Sequence, residues 1–215
     1  MIDITFDLET CALCPTAAVM SIGAVAWDRK KVDTPFYEEG NMHNADYLYL
    51  RHVDLRSQFV NGFTFDQDTA NWWASRSKEA KVAVTAPDCQ PCDSIENVVV
   101  DFFQWIKEMV NGDEICLWSQ GSDFDIAILR NICQKFQIDL PVSYKNFRDH
   151  RTFFLEGAKI ILDAAQRPYD PNRAYSLVEP YEGEGVAHDP IFDCKRSIYS
   201  TWQMMKHLKC LNIEK

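Results

Sequence analysis

The order of elements predicts an α/β fold around a mixed sheet, antiparallel at first and parallel later. Two strand-like runs, 2–8 and 18–27, follow each other with only the loop "TCALCPTAA" between them. Further on, "EICLWS" and "VSYKNFRD" each lead into a helical stretch, the β-α-β-α order that builds parallel pairs. A last helix closes the chain.

β-Branched and small apolar residues mark 2–8 and 18–27 ("AVMSIGAVAW") as strands. A third strand is predicted within 32–38 and another near 47–53. Residues 38–62 are polar and poorly periodic, which predicts a long surface excursion. "FDQDTANWWASRS" (65–77) has helical character, with Asp66 or Asp68 placed to cap it, and "APDCQPCD" is a turn-rich break. "SIENVVVDFFQWIKEMV" (94–110) is an amphipathic helix stopped by Asn111-Gly112. "EICLWS" (114–119) is a short buried strand, and "GSD" opens a helix through about Phe136. A strand in "VSYKNFRD" leads to a helix at 150–164, capped by Asp149. Residues 166–186 are loop-like, with Pro168, Pro171, Pro180 and several glycines, and the last helix runs from Pro190 to about His207.

The 215 residues are most simply one domain spanning 1–215, and 47% hydrophobic content suffices for a core. No 18-residue apolar run indicates a membrane span. The opening residues carry Asp3, Asp7 and Glu9 instead of the basic and apolar regions of a secretion signal, so a cytoplasmic protein is expected. A formal charge of −10 argues against general affinity for nucleic acid, although divalent ions at an acid cluster reverse that locally. Cys11/Cys14 and Cys89/Cys92 form two C-x-x-C pairs among eight cysteines. Their wide separation lacks zinc-ribbon spacing, and they read either as a four-thiolate zinc site or as unrelated small residues.

Three segments concentrate acids. In "ITFDLET" (4–10), Asp7 and Glu9 are two apart on a strand and face the same way. Such close carboxylates repel and raise each other's pKa unless a cation lies between them. In "LWSQGSDFDIAIL" (117–129) a buried strand gives way to a helix start bearing Asp123 and Asp125. Helix starts at the carboxyl ends of strands are where α/β sheets bind anionic ligands. In "AHDPIFDC" (187–194) Asp189 is a good N-cap and Pro190 a good first residue, which puts Asp193 in the first turn and His188 just before the helix. Each segment alone has an ordinary reading as a solvated strand edge, a helix-dipole partner or a loop histidine.

Jointly, these motifs resemble the DEDDh class of 3′–5′ exonucleases, which includes ribonuclease T, oligoribonuclease and the proofreading exonucleases. "FDLET" matches the D-x-E motif, "SDFDIAIL" the Phe-Asp motif, and "HDPIFD" the H-x-x-x-x-D motif. The resemblance implies a ribonuclease-H-like fold with a mixed five- or six-stranded sheet. It assigns the four acids to Asp7, Glu9, Asp125 (not Asp123) and Asp193, and the histidine to His188. "TANWWASRSKEA", "FRDHRTFF", "DFDIAIL" and "AHDPIFDC" also look like the phage DexA-type exonucleases and related bacterial exoribonucleases. One departure is Cys194, where the class often has Ala.

The resemblance implies a hydrolase that uses two divalent ions, Mg²⁺ or Mn²⁺, to release nucleoside 5′-monophosphates from the 3′ ends of single-stranded RNA or DNA. Asp7 would bridge both ions, Glu9 and Asp193 would bind the water-activating ion, and Asp125 would support the second. His188 would take the proton of the water, from a position expected to be mobile and turned away before substrate arrives. Thr10 would lie near the terminal 3′ hydroxyl, with Cys11–Val19 lining the same pocket. Trp72 and Trp73 diverge by about 100° on a helix, so one is expected in the core and the other free to stack on a base, a contact worth roughly 1–3 kcal/mol. Arg148 and Arg151 either reach phosphates or form surface ion pairs. A homodimer is compatible with the sequence but nothing in it requires one. Two other readings stand beside this one. A haloacid-dehalogenase-type phosphatase would need Asp where Glu9 stands and has no use for His188 and Asp193. A catalytically inactive nucleic-acid-binding module on the same fold is the non-enzyme reading.

Overall fold

Strand β1 (Ile2–Thr10) alternates strictly, and the alternation decides the architecture. Ile4, Phe6 and Leu8 enter the main apolar core on one face of the sheet. Asp3, Thr5, Asp7 and Glu9 therefore face the other side. The computed structural model describes residues 2–37, 46–85, 92–110, 112 and 114–211. Its five-stranded sheet runs β3-β2-β1-β4-β5, with β2 (Val19–Trp27), β3 (Leu48–His52), β4 (Ile115–Ser119) and β5 (Phe147–Asp149). β1/β2 and β2/β3 are antiparallel, and β1/β4 and β4/β5 are parallel, as the element order predicts. β1 thus sits at the centre with its acids.

On the main-core face pack α4 (Ile95–Val110) and α5 (Ala127–Phe136). On the acid-bearing face lies α7 (Pro190–Leu211), whose Ile191, Cys194, Ile198 and Trp202 join Val25, Trp27, Cys116 and Trp118. Three polar side chains under α7, Asp3, Thr5 and His150, are paired. Asp3 accepts from the Arg29 guanidinium and from Trp118 Nε1 at 2.8 Å. Thr5 Oγ1 accepts from Trp27 Nε1 at 3.0 Å and lies 2.9 Å from His150 Nε2, while His150 Nδ1 lies 2.7 Å from Thr201 Oγ1. Burial pushes His150 down to about 3, so it links β1 to α7 as a neutral ring. Among the described residues, no helix is long and apolar enough to cross a membrane.

Several sequence expectations change. Residues 32–37 form no strand, only an isolated bridge between Trp27 and Phe36, and the third strand is β3. Of the expected excursion at 38–62, residues 38–45 lie outside the described residues. The rest is built into the fold. α1 (Leu55–Val60) buries Gln58, whose amide accepts from Val19 N at 2.7 Å and donates to Val19 O at 2.8 Å. One polar side chain that satisfies the edge of β2 disguises a packed segment as a surface loop. The helix expected at 65–77 is α2 (Gln67–Ala74), capped by Asp66, and a second helix that was not expected, α3 (Lys78–Val84), capped by Ser77, follows it. The expected loop at 166–186 contains 3₁₀ turns at Pro171–Leu177. In "VSYKNFRD", a 3₁₀ turn at Tyr144–Asn146 leaves only three strand residues. α6 (His150–Ala164) starts at its Asp149 cap as predicted.

α7 is seated against the sheet through a glycine. A Cβ on Gly23 would lie 2.6 Å from Pro190 Cβ, closer than two carbons pack. Gly23→Ala is therefore expected to cost about 1–3 kcal/mol and to lower the thermal midpoint by several degrees. A mutant melting within one degree of the wild type, roughly the resolution of such scans, would show that α7 is not held at this contact.

Candidate active site

Each acid reaches the site by a different device. Asp7 and Glu9 share the face of β1 opposite the main core, and the register shift between Glu9 and Thr10 ends regular pairing with β2 just beyond them. β4 pairs with β1 only as far as Thr5↔Trp118 and then turns away. The uncovered Leu8 N–H is taken by Asp125 Oδ1 at 3.2 Å. Asp125 lies in a π turn, Ser122–Ile126, that opens α5. This wider turn sends it inward, where it is buried, while Asp123 is exposed and caps nothing. The structure thus brings Asp125, not Asp123, to the acids of β1.

Asp189 caps α7 by accepting from Ile191 N at 2.9 Å and Phe192 N at 3.2 Å. Asp193, in the first turn, accepts at Oδ2 from the backbone N–H of His188 at 3.2 Å. That bond holds His188 in the left-handed region, φ 71°. The H-x-x-x-x-D spacing is therefore a local clasp. Asp193 Oδ1 lies 3.3 Å from the Arg196 guanidinium, yet it is buried and makes no hydrogen bond. Arg196 was not singled out from the sequence. Its signal is its place one turn after Asp193 on the same helix.

His188 is not turned away. One ligand atom each from Glu9, His188 and Asp193 lie within 4.8 Å of one another. The imidazole rests edge-on against both Trp72 (4.8 Å) and Trp73 (5.8 Å), which meet each other at 5.0 Å. Neither tryptophan is in the core, contrary to the expected division of roles. Trp73 donates from Nε1 to Thr10 O at 2.9 Å, and Trp72 is 40% exposed with Arg76 stacked 4.5 Å over its ring. α2 is short and stands over the loop after β1, with Asp66 N donating to Cys11 O at 2.9 Å, so both rings of a surface helix can face the site. Thr10 is buried and donates from Oγ1 to Ala12 O at 2.8 Å, which ties the start of the Cys11–Val19 loop.

The two arginines of "FRDHR" part ways. Arg151 acts on Asp125 electrostatically, and its Nη1 lies 3.8 Å from where a Cβ on Gly121 would be. Arg148 instead donates to the carbonyls of Lys145 and Phe147 at 2.6 and 2.8 Å. Of the two, Arg151 is the one whose charge favours an ionised Asp125. Cys11 and Cys14 pack against the main core, and among the described residues no cysteine joins a metal-sized cluster. Their proposed partner Cys89 lies outside the described residues.

Crowded burial makes the acids reluctant to ionise. Burial raises Asp7 well above the usual carboxylate range, and Glu9, Asp125 and Asp193 raise it further. Burial, then Asp193 and Asp125, push Glu9 to about 8. Burial pushes Asp125 to about 7 despite the Leu8 N–H, and raises Asp193 despite Arg196. The folded protein then holds protons that the unfolded chain releases, so metal-free stability falls as pH rises from about 4.5 toward about 8. The expected loss is on the order of a few kcal/mol. Melts in EDTA across that window should show a falling midpoint that Mg²⁺ or Mn²⁺ restores most at the alkaline end. A flat profile would mean that the acids are ordinary surface carboxylates.

The donors suit hard divalent cations, being oxygen-only apart from one imidazole and carrying an unsatisfied buried Asp193 oxygen. Residues 2–197 match the profile of the Rv2179c-like 3′–5′ exoribonuclease domain. The chain belongs to that family. A search of curated proteins finds no match. Among solved structures, cell-death related nuclease 4 (CRN-4) is similar at TM-score 0.60 and 14% identity, over 95% of this chain and 64% of that one. The nuclease domain of 3′hExo, described as a DEDDh family member bound to rAMP, is similar at TM-score 0.56 and 14% identity, over 95% and 92%. A full-length 3′-exonuclease follows at 0.54 and 12%, over 95% and 81%. These likenesses show the fold, and this exoribonuclease-family chain spans less than two thirds of CRN-4. The mixed five-stranded sheet is the ribonuclease-H-like sheet of the DEDDh nucleases, the superfamily its motifs resemble.

Proposed function

We propose that the protein is a two-metal-ion 3′–5′ exoribonuclease that removes nucleoside 5′-monophosphates from the 3′ ends of single strands. The observation that carries this reading is the convergence of Asp7, Glu9, Asp125 and Asp193 from three distant segments, each disfavoured as a bare charge, with His188 beside them. The family's description favours RNA over DNA.

Asp7, Glu9, Asp125 and Asp193 would hold two Mg²⁺ or Mn²⁺ ions. When bound, these supply Lewis-acid polarisation of the phosphate, a nucleophile at neutral pH and charge for the leaving oxygen. Asp7, whose ionisation Glu9, Asp125 and Asp193 all oppose, would gain most from the charge of bound cations. The His188 imidazole, within 4.8 Å of Glu9 and Asp193 atoms, takes the proton of the attacking water. Trp72 and Trp73 hold that ring from behind, and the exposed part of Trp72 offers a base a stacking surface. Thr10 and the Cys11–Val19 loop, joined to Trp73 through Thr10 O, line the side where the terminal nucleoside sits. Arg151 and Arg196 supply positive charge for phosphates in a chain of net charge −10.

Digestion of end-labelled RNA and DNA single strands with Mg²⁺, Mn²⁺ or EDTA tests this. A 3′ label should appear at once as nucleoside monophosphate, a 5′ label should shorten stepwise, and EDTA should stop both. Internal cuts, or full activity in EDTA, would contradict the reading. Binding without hydrolysis would mark a nucleic-acid-binding module instead.

A further inference from the structure

A cavity of about 520 Å³ lies beside the acids, between α6, α7 and the 3₁₀ turns at Pro171–Leu177. Gln120, Tyr175, Glu179, Tyr181, Arg196 and Ser197 line it. Its size is in the range that holds a small organic ligand. Arg196 marks the junction, since it lines the cavity and also sits 3.3 Å from Asp193 Oδ1.

We propose that this cavity holds the nucleoside on the 5′ side of the cleaved bond. The inference rests on the exonuclease reading. Asp193 has His188 on one flank and Arg196 on the other. On the His188 flank, Trp72, Trp73 and Thr10 take the terminal nucleoside. A phosphodiester centred on the acids then sends its other nucleoside toward Arg196 and the cavity. The wall chemistry agrees. Tyr175, stacked 4.3 Å from Phe154 yet 45% exposed, and Tyr181 supply flat apolar surface. Gln120 Oε1 is buried without a hydrogen-bond partner and suits an N–H or O–H donor of a base or ribose. Glu179 opposes a phosphate inside, so the occupant is the uncharged nucleoside, and the phosphate stays at the Arg196 rim.

Two substrates sharing the 3′ nucleoside and phosphate test the assignment, namely uridylyl-uridine and the p-nitrophenyl ester of uridine 5′-monophosphate. Only the first carries a nucleoside on the 5′ side. Gln120→Ala, and Ser197→Trp to fill the cavity, should each lower kcat/KM on the dinucleotide by about tenfold and leave the ester within about twofold of wild type. Equal losses on both substrates, or none on the dinucleotide, would overturn the assignment while leaving the nuclease reading intact. Wild-type protein inactive on both substrates would remove the nuclease reading and this inference with it. If Ser197→Trp fails to fold, Gln120→Ala decides alone.

Discussion

Asp7→Asn is expected to lower metal-dependent hydrolysis by at least about 10³-fold, because several kcal/mol of charge stabilisation would pass through the ions this carboxylate is proposed to hold. Asp7 is the acid whose ionisation is opposed by Glu9, Asp125 and Asp193 together. Asn keeps its size and one acceptor oxygen and removes only the charge. The metal-free variant should therefore melt higher than wild type, most visibly near pH 8, since a repelled carboxylate is gone. Lost activity with gained stability cannot be ascribed to misfolding. Asp125→Asn should behave alike, because its amide oxygen can still accept from Leu8 N. Asp123→Asn, at an exposed position, should stay within about twofold. Asp7→Asn at near-wild-type rate would remove the cation-binding role of the cluster.

The second large effect is expected at His188. Its loss should slow kcat by roughly 10²–10⁴-fold, the usual worth of a positioned general base. Asn is the better replacement than Ala, since the position has φ 71° and Asn tolerates that region. Asn also keeps the backbone N–H bond to Asp193. Metal affinity should persist in His188→Asn, and the acidic limb of the pH–rate profile should flatten. Unchanged kcat with an unchanged limb would return His188 to an ordinary loop residue. A fall in metal affinity equal to that of Glu9→Gln would make it a ligand instead, which its distance to Glu9 and Asp193 permits.

What the sequence revealed and what it hid follow the range of the forces involved. The strand bearing Asp7 and Glu9 was legible because period-2 alternation is local. The cap at Asp189 and the turn bearing Asp193 were legible because capping chemistry spans only a few residues. The acids' convergence came through resemblance, since strand order is a tertiary fact. β3 was legible near 47–53, whereas α1 escaped recognition because Gln58 satisfies the backbone of Val19, a polar contact 39 residues away that leaves no apolar period behind. The paired placement of Trp72 and Trp73 around His188 was equally hidden. Helical geometry alone says the two rings diverge, and only the seating of α2 above Thr10 turns both to the site. Arg196 was legible as the i+3 neighbour of Asp193 on one helix, but its place at the mouth of the cavity was hidden, because the cavity's other walls come from distant segments.

The central claim is that four crowded carboxylates, each held above its usual pKa, are a cation site, and proton release on metal binding measures it most directly. Mn²⁺ should be titrated calorimetrically at about pH 6.5 in two buffers of different ionisation enthalpy. With Glu9 held near 8 and Asp125 near 7, binding should expel more than one proton, and fewer as pH rises past 8. Asp7→Asn should weaken both binding and proton release. Mn²⁺ that binds without releasing protons, or equally well to Asp7→Asn, would contradict the account.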